Sequence, residues 1–258
     1  MVRRIWVICT IITVLALISS FSPQVKYFLI DPSFPGRLLK AGNTHAVEFL
    51  NSLFENYSMR GITQPTDRGA AIFGLQRRLT STLHCEGRYG ILERFLHRNL
   101  LWQRSGVEKM ERIRYNNLKV PSWSWMAYQG GIKFIDASFA DIYWNRGLGF
   151  DERRKDALTG SLGKFWKCTI TQEGTRYIVL DSRGIRNGWL QFDIEGSTDL
   201  DVQKCVVVGC EGFAIRSAIR FFVLVVRPTA TNGEFERVGV GLVEASCVSR
   251  LGGDIRIV

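Results

Sequence analysis

The chain has 258 residues, 46% hydrophobic and 12% aromatic, enough to bury a core and too apolar for a disordered tail. Its 34 Lys and Arg against 24 Asp and Glu give a net charge of +10. The densest basic clusters, Arg77-Arg78 and Arg153-Arg154-Lys155, are too short to track a phosphate backbone, so nucleic acid is not the expected partner. Six cysteines (Cys9, Cys85, Cys168, Cys205, Cys210 and Cys247) without a CxxC pair do not make a disulfide scaffold, and no metal or cofactor is expected. Cys205 and Cys210, in KCVVVGC, would fall on opposite faces of a regular strand.

Residues 1–28 form an apolar N-terminal segment. After Arg3 and Arg4 the run from Ile5 to Val25 holds no charge, and Ile5, Trp6, Leu15 and Phe21 mark it as a candidate membrane segment. As a helix its most apolar part spans about 25 Å, slightly short of a hydrocarbon core of roughly 30 Å. A short signal-anchor is the first reading, with a cleaved signal peptide and a core segment as alternatives. The protein is then membrane-anchored if the segment inserts and cytoplasmic otherwise. Arg3 and Arg4 on one side face Lys26, Arg37 and Lys40 on the other, so charge casts no vote on orientation.

Residues 29–118 read as a helical layer. In THAVEFLNSLFENYSMR the apolar positions Val47, Leu50, Phe54 and Tyr57 recur at steps of three and four, one helical stripe that Gly61 stops. Pro65-Thr66-Asp67 caps a second helix through Leu75 and Leu79, and a third is expected through Tyr89, Leu92, Phe95, Leu96 and Leu100. On that third helix Glu93 and His97 stand four apart and would meet.

From 119 to 258 the period drops to two. Leu190, Phe192 and Ile194 alternate with Gln191, Asp193 and Glu195, as do Val238, Val240 and Leu242 with two glycines, the pattern of half-buried antiparallel strands. IRFFVLVV at 219–226 is continuously apolar, a central strand covered on both faces. Turn signals stand at Gly130-Gly131, Gly174, Asn187-Gly188 and Asn232-Gly233. The expected fold is α+β: a helical N-terminal layer packed on a mainly antiparallel β-sheet or barrel-like C-terminal half as one domain, preceded by an apolar N-terminal helix.

Three ordered blocks carry a resemblance. YSMRGITQPTDRGAAIFGLQRRL at 57–79, with Asp67, Arg68, Gly74 and Leu75, resembles the segment after the HET domain in fungal heterokaryon-incompatibility proteins. GRYGILERFLHRNLLWQRS at 87–105, with Tyr89 and Trp102, looks like that family's leucine-tryptophan block. VPSWSWMAYQGGI at 120–132, with Pro121, Trp123 and Trp125, looks like its Pro-Ser-Trp-Ser-Trp block. With DPSFPGRLL at 31–39 the match covers about residues 31–150, and FERVGVGLV extends it loosely toward the end.

The family's HET domain, similar to TIR domains and tied to cell death after fusion of unlike hyphae, is absent with its Trp-Gly, Trp-Ile-Asp-x-x-Cys-Ile and Arg-Gly-Trp-x-x-Gln-Glu blocks. The resemblance therefore implies a non-catalytic C-terminal module with a regulatory or protein-interaction role in fungal non-self recognition, or a truncated or rearranged remnant. A protein is the expected partner, with the membrane a second through residues 5–25. The rivals are a Cys/His-based hydrolase or other enzyme, and a membrane-anchored ligand-binding protein.

Physically, the block residues read as structural. Strand geometry would place the indoles of Trp123 and Trp125 on one face and Ser122 and Ser124 on the other, a core anchor, with ligand stacking the competing use. Asp67-Arg68 at a helix start fits a cap and dipole partner. For the enzyme reading, GSLG at 160–163 is not G-x-S-x-G, GLGFDE at 147–152 and GVGLVE at 239–244 lack a third glycine, and His84 beside Cys85 makes a poor dyad.

Overall fold

The computed structural model describes residues 36–60, 64–106, 110–116, 118–139, 142–194, 198–212 and 219–258. Its helices are α1 (Gly36–Lys40), α2 (Gly42–Ser58) and α3 (Asp67–Leu83). Next come β1 (Gly87–Arg88), β2 (Ile91–Leu92), a 3₁₀ turn at Glu93–Phe95, and the single-turn α4 (Leu96–Asn99). Short strands follow: β3 (Trp102–Arg104), β4 (Glu111–Arg112), β5 (Tyr128–Gln129), β6 (Ile132–Phe134), β7 (Ile142–Trp144) and β8 (Gly149–Phe150). The long strands are β9 (Leu158–Phe165), β10 (Cys168–Glu173), β11 (Arg176–Asp181), β12 (Arg186–Phe192), β13 (Lys204–Glu211), β14 (Arg220–Pro228), β15 (Glu234–Glu244) and β16 (Val248–Ile257). The chain is thus α+β, with a sheet-rich C-terminal half that is mainly antiparallel. The apolar run 5–25 and the helix stop at Gly61 lie outside the described residues.

The large sheet runs β10-β11-β12-β15-β14-β13-β9-β16, with β7 on β13 and β8 on β9. A short parallel pairing of Glu234-Phe235 with Arg256-Ile257 brings β16 back onto β15. Hydrogen bonding therefore circles through five strands, β15-β14-β13-β9-β16, while β12, β11 and β10 extend from β15. The apolar run in β14 is central, and its side chains alternate between two cores. Phe222, Leu224 and Val226 share a larger core with Leu50 and Phe54 of α2 and Leu79 of α3. Val223 and Val225 face a smaller one with Val179, Leu190, Cys205, Val243 and Cys247.

The helical stripe of α2 buries Val47, Leu50, Phe54 and Tyr57. The expected third helix is corrected: Gly87 to Leu92 is a hairpin, and only the 3₁₀ turn and the single-turn α4 follow. Tyr89 at φ 48° and Gly90 at φ 78° both take left-handed backbone, the signature of a two-residue hairpin turn, and interrupt any helix. Apolar spacing alone does not reveal this. Glu93 and His97 accordingly do not pair: Glu93 accepts from the Glu86 N–H at 3.1 Å, and His97 bonds the Asn145 carbonyl at 2.7 Å.

Asn187-Gly188 is likewise no turn but the interior of β12. A Cβ on Gly188 would stand 2.2 Å from the Leu242 carbonyl, so glycine serves strand approach there. Ser182 to Ile185 make the reversal instead. Pro121 to Ser124 form a turn, not a strand, and Trp125–Ala127 is a 3₁₀ helix capped by the Ser124 hydroxyl, which accepts from the Met126 N–H at 3.0 Å. A bulge between Val207 and Gly209 resets the alternation of β13. Cys205 opposite Val225 and Cys210 opposite Phe221 consequently lie on one face, not two.

Candidate functional site

The polar side of β12 is covered, contrary to the half-buried pattern: Asp193, one residue past the strand, is 1% exposed and Gln191 4%. Asp193 meets Arg237 of β15, whose Nε donates to Oδ2 at 2.9 Å and whose Nη2 donates to Oδ1 at 3.3 Å. Nη1 donates to the Leu100 carbonyl at 2.7 Å and Nη2 to the Trp102 carbonyl at 2.5 Å. The guanidinium carbon lies 3.4 Å from the Trp102 ring centroid. Burial pushes the Asp193 carboxyl up, and the guanidinium opposes that rise. Paired and fully bonded, these two charges fasten the sheet to the segment after α4.

The block residues gather around this pair. Trp102 donates from Nε1 to the Trp123 carbonyl at 2.9 Å and tilts against Tyr128 at 5.6 Å. Ser122 Oγ accepts from the Arg237 N–H at 2.7 Å and donates to the Val258 carbonyl. Tyr89 packs edge-on against Trp123 at 5.7 Å, and Ser124 Oγ donates to the Tyr89 carbonyl at 2.6 Å. Phe54 lies 5.4 Å from Trp125 and Tyr57 6.1 Å. Both indoles of the Pro-Ser-Trp-Ser-Trp block are buried beside Pro121, and so are both serines. Trp123 Nε1 has no acceptor among the described residues.

Arg68 is not a cap. The residue is 3% exposed, and its guanidinium donates to the carbonyls of Tyr128 at 2.6 Å and Gly130 at 3.1 Å, with the Trp125 ring centroid 5.1 Å away. Burial lowers its pKa to about 10. Thr66 caps α3 without a side-chain bond, and Asp67 is an exposed acid in the first turn. Leu75 packs half-buried on the larger core, and Gly74 is exposed with open space at its Cβ. The blocks thus converge on a seam between helices and sheet, with Asp67 and Gly74 outside it.

The catalytic candidates do not converge. His84 closes α3 in left-handed backbone at φ 48° and is exposed, while burial holds the neighbouring Cys85 thiol up. His97 is lowered by burial and stacks on Trp144 at 5.6 Å. Among the described residues no cluster of three or more His, Cys, Asp or Glu is placed to hold a metal ion. None of their helices is long and apolar enough to cross a membrane.

Sequence reasoning missed Arg237 and Asp193. Both sit in alternating strand patterns that assign them to solvent, beside other polar residues such as Gln191 and Glu236, so nothing in the sequence singles them out. Comparison of the chain finds no matching protein-family model, curated protein or solved structure.

Proposed function

We propose that this chain is a non-catalytic binding module of the HET-type incompatibility class, in which the helical layer and the sheet act as one rigid unit that engages a protein partner. The observation carrying this reading is that Arg68, Trp102, Pro121, Trp123 and Trp125 are buried in the seam, where they hold the two halves together instead of lining a cavity. Groups that could start chemistry in the seam are already committed: Ser122 and Ser124 to carbonyls, and Arg237 to Asp193. The apolar run 5–25 would tether the unit to a membrane as an N-terminal helix.

The test is co-purification of the full chain with a HET domain supplied as a separate polypeptide, beside turnover assays with NAD and ester substrates. A complex without turnover is the expected result. Turnover that vanishes in Cys85→Ala or His97→Ala, or failure to form the complex, overturns the reading. Carbonate extraction of membranes tests the tether: full-length chain recovered in the soluble fraction rejects it.

A further inference from the structure

Cys168 opens β10, and Cys247 closes the 3₁₀ turn Ala245–Cys247 that joins β15 to β16. The two segments are hydrogen-bonded at this point. The Trp166 N–H donates to the Cys247 carbonyl at 2.9 Å, and the Cys168 thiol reaches the same oxygen at 3.9 Å. Asn187 Nδ2 donates to Cys247 Sγ at 3.8 Å, and Phe165 stands in register with Val248. Both thiols are free, and each is the largest influence on the other's ionisation. Cys168 is half-buried, and Trp166 and Ser246 beside the pair are exposed, so the cluster lies just under the end of the sheet.

We propose that Cys168 and Cys247 are a reversible redox pair, which a small hydroperoxide converts to a disulfide tying the start of β10 to the β15–β16 connection. The Cys247 thiolate attacks one peroxide oxygen, the O–O bond breaks, and the departing oxygen takes a proton to leave as an alcohol or water. The sulfenic acid formed on Cys247 is then attacked by the Cys168 sulfur; an S–S bond forms, and water departs with the Cys168 proton. Two sulfurs lose two electrons together, and the peroxide gains them. A dithiol reductant reverses the change by thiol–disulfide exchange.

The surroundings assign the roles. The bond from Cys168 draws the Cys247 thiol down, burial opposes it, bonds from Asn187 and Ser246 assist, and the charge of Glu244 opposes; the outcome lies below an ordinary thiol. Cys168 is driven far up by the same bond and then by burial, with Cys205 of β13 as a further neighbour. Because Cys247 is depressed, its thiolate persists to lower pH than that of an ordinary cysteine and is lost as pH falls further. Cys247 is therefore the attacking sulfur and Cys168 the resolving one.

The test treats the reduced full chain with hydrogen peroxide, blocks the remaining thiols, and maps peptides without reduction. A Cys168–Cys247 cross-link is expected, with two of the six thiols lost and both restored by dithiothreitol. Its rate should fall as pH is lowered and the Cys247 thiolate is protonated, with a midpoint below that of an ordinary cysteine. The link spans 79 residues of chain, and the oxidised protein should melt about 5 to 10 °C higher. In Cys247→Ser, Cys168 should stay reduced. Both cysteines remaining thiols, oxidation to sulfinic acid without a link, or a link to Cys205 would each overturn the proposal, and the map of the unaltered chain decides it even where the variant fails to fold.

Discussion

On one face of β14, Phe222, Leu224 and Val226 share their core with buried indoles and with Arg237, whose donors are aimed at fixed acceptors. On the other, Val223 and Val225 meet valines, leucines and thiols. The first face is held by direction as well as by area, so losing one group leaves others charged or unbonded in a place water cannot reach. The second is held by area, and each methyl removed costs its own share. A strand one residue thick therefore separates a region that fails as a unit from one that weakens by degrees.

The largest test of that contrast is Arg237→Ala. It should cost about 3 to 5 kcal/mol in urea unfolding, because the Asp193 carboxylate is left buried without its partner. The paired change Arg237→Met with Asp193→Leu should recover much of the loss. If the pair is no better than the single change, the seam is not limited by its charges.

Val225→Ala tests the other face and should cost about 1.5 to 3 kcal/mol, the loss from truncating a buried valine. Combined with Val179→Ala across the same core, the losses should add to within about 0.5 kcal/mol if packing is the whole of the bond between them. A larger coupling would erase the distinction between the faces. Outside both regions, Asp67→Asn should cost no more than about 0.3 to 1 kcal/mol, the value of an exposed acid in the first turn of α3.

The sequence made local periodicity readable and left long-range partnership hidden. The stripe of α2 and the apolar run of β14 could be assigned because each element's own spacing declares which side is buried. Tyr89 could not, since a left-handed tyrosine has no pattern of its own and its neighbours Leu92, Leu96 and Leu100 mimic a helix. The bulge in β13 is equally silent, because a valine run accepts a register shift without changing its composition. Of the seam, the Trp123 and Trp125 indoles could be suspected as core from their size. Asp193 and Arg237 lie 44 residues apart, and only the pairing of β12 with β15 brings them together.

That separation has a consequence for synthesis. Arg237 bonds the carbonyl of a residue 137 positions earlier, and Ser122 bonds one 136 positions later. At ordinary translation rates that stretch takes on the order of 10 s to emerge. Throughout that interval the core around Trp102 and Trp123 lacks Arg237 and the last two strands, and contacts this distant in sequence close slowly even once the chain is complete. The nascent helical half should thus be a client of chaperones, released from them only when β15 delivers its arginine.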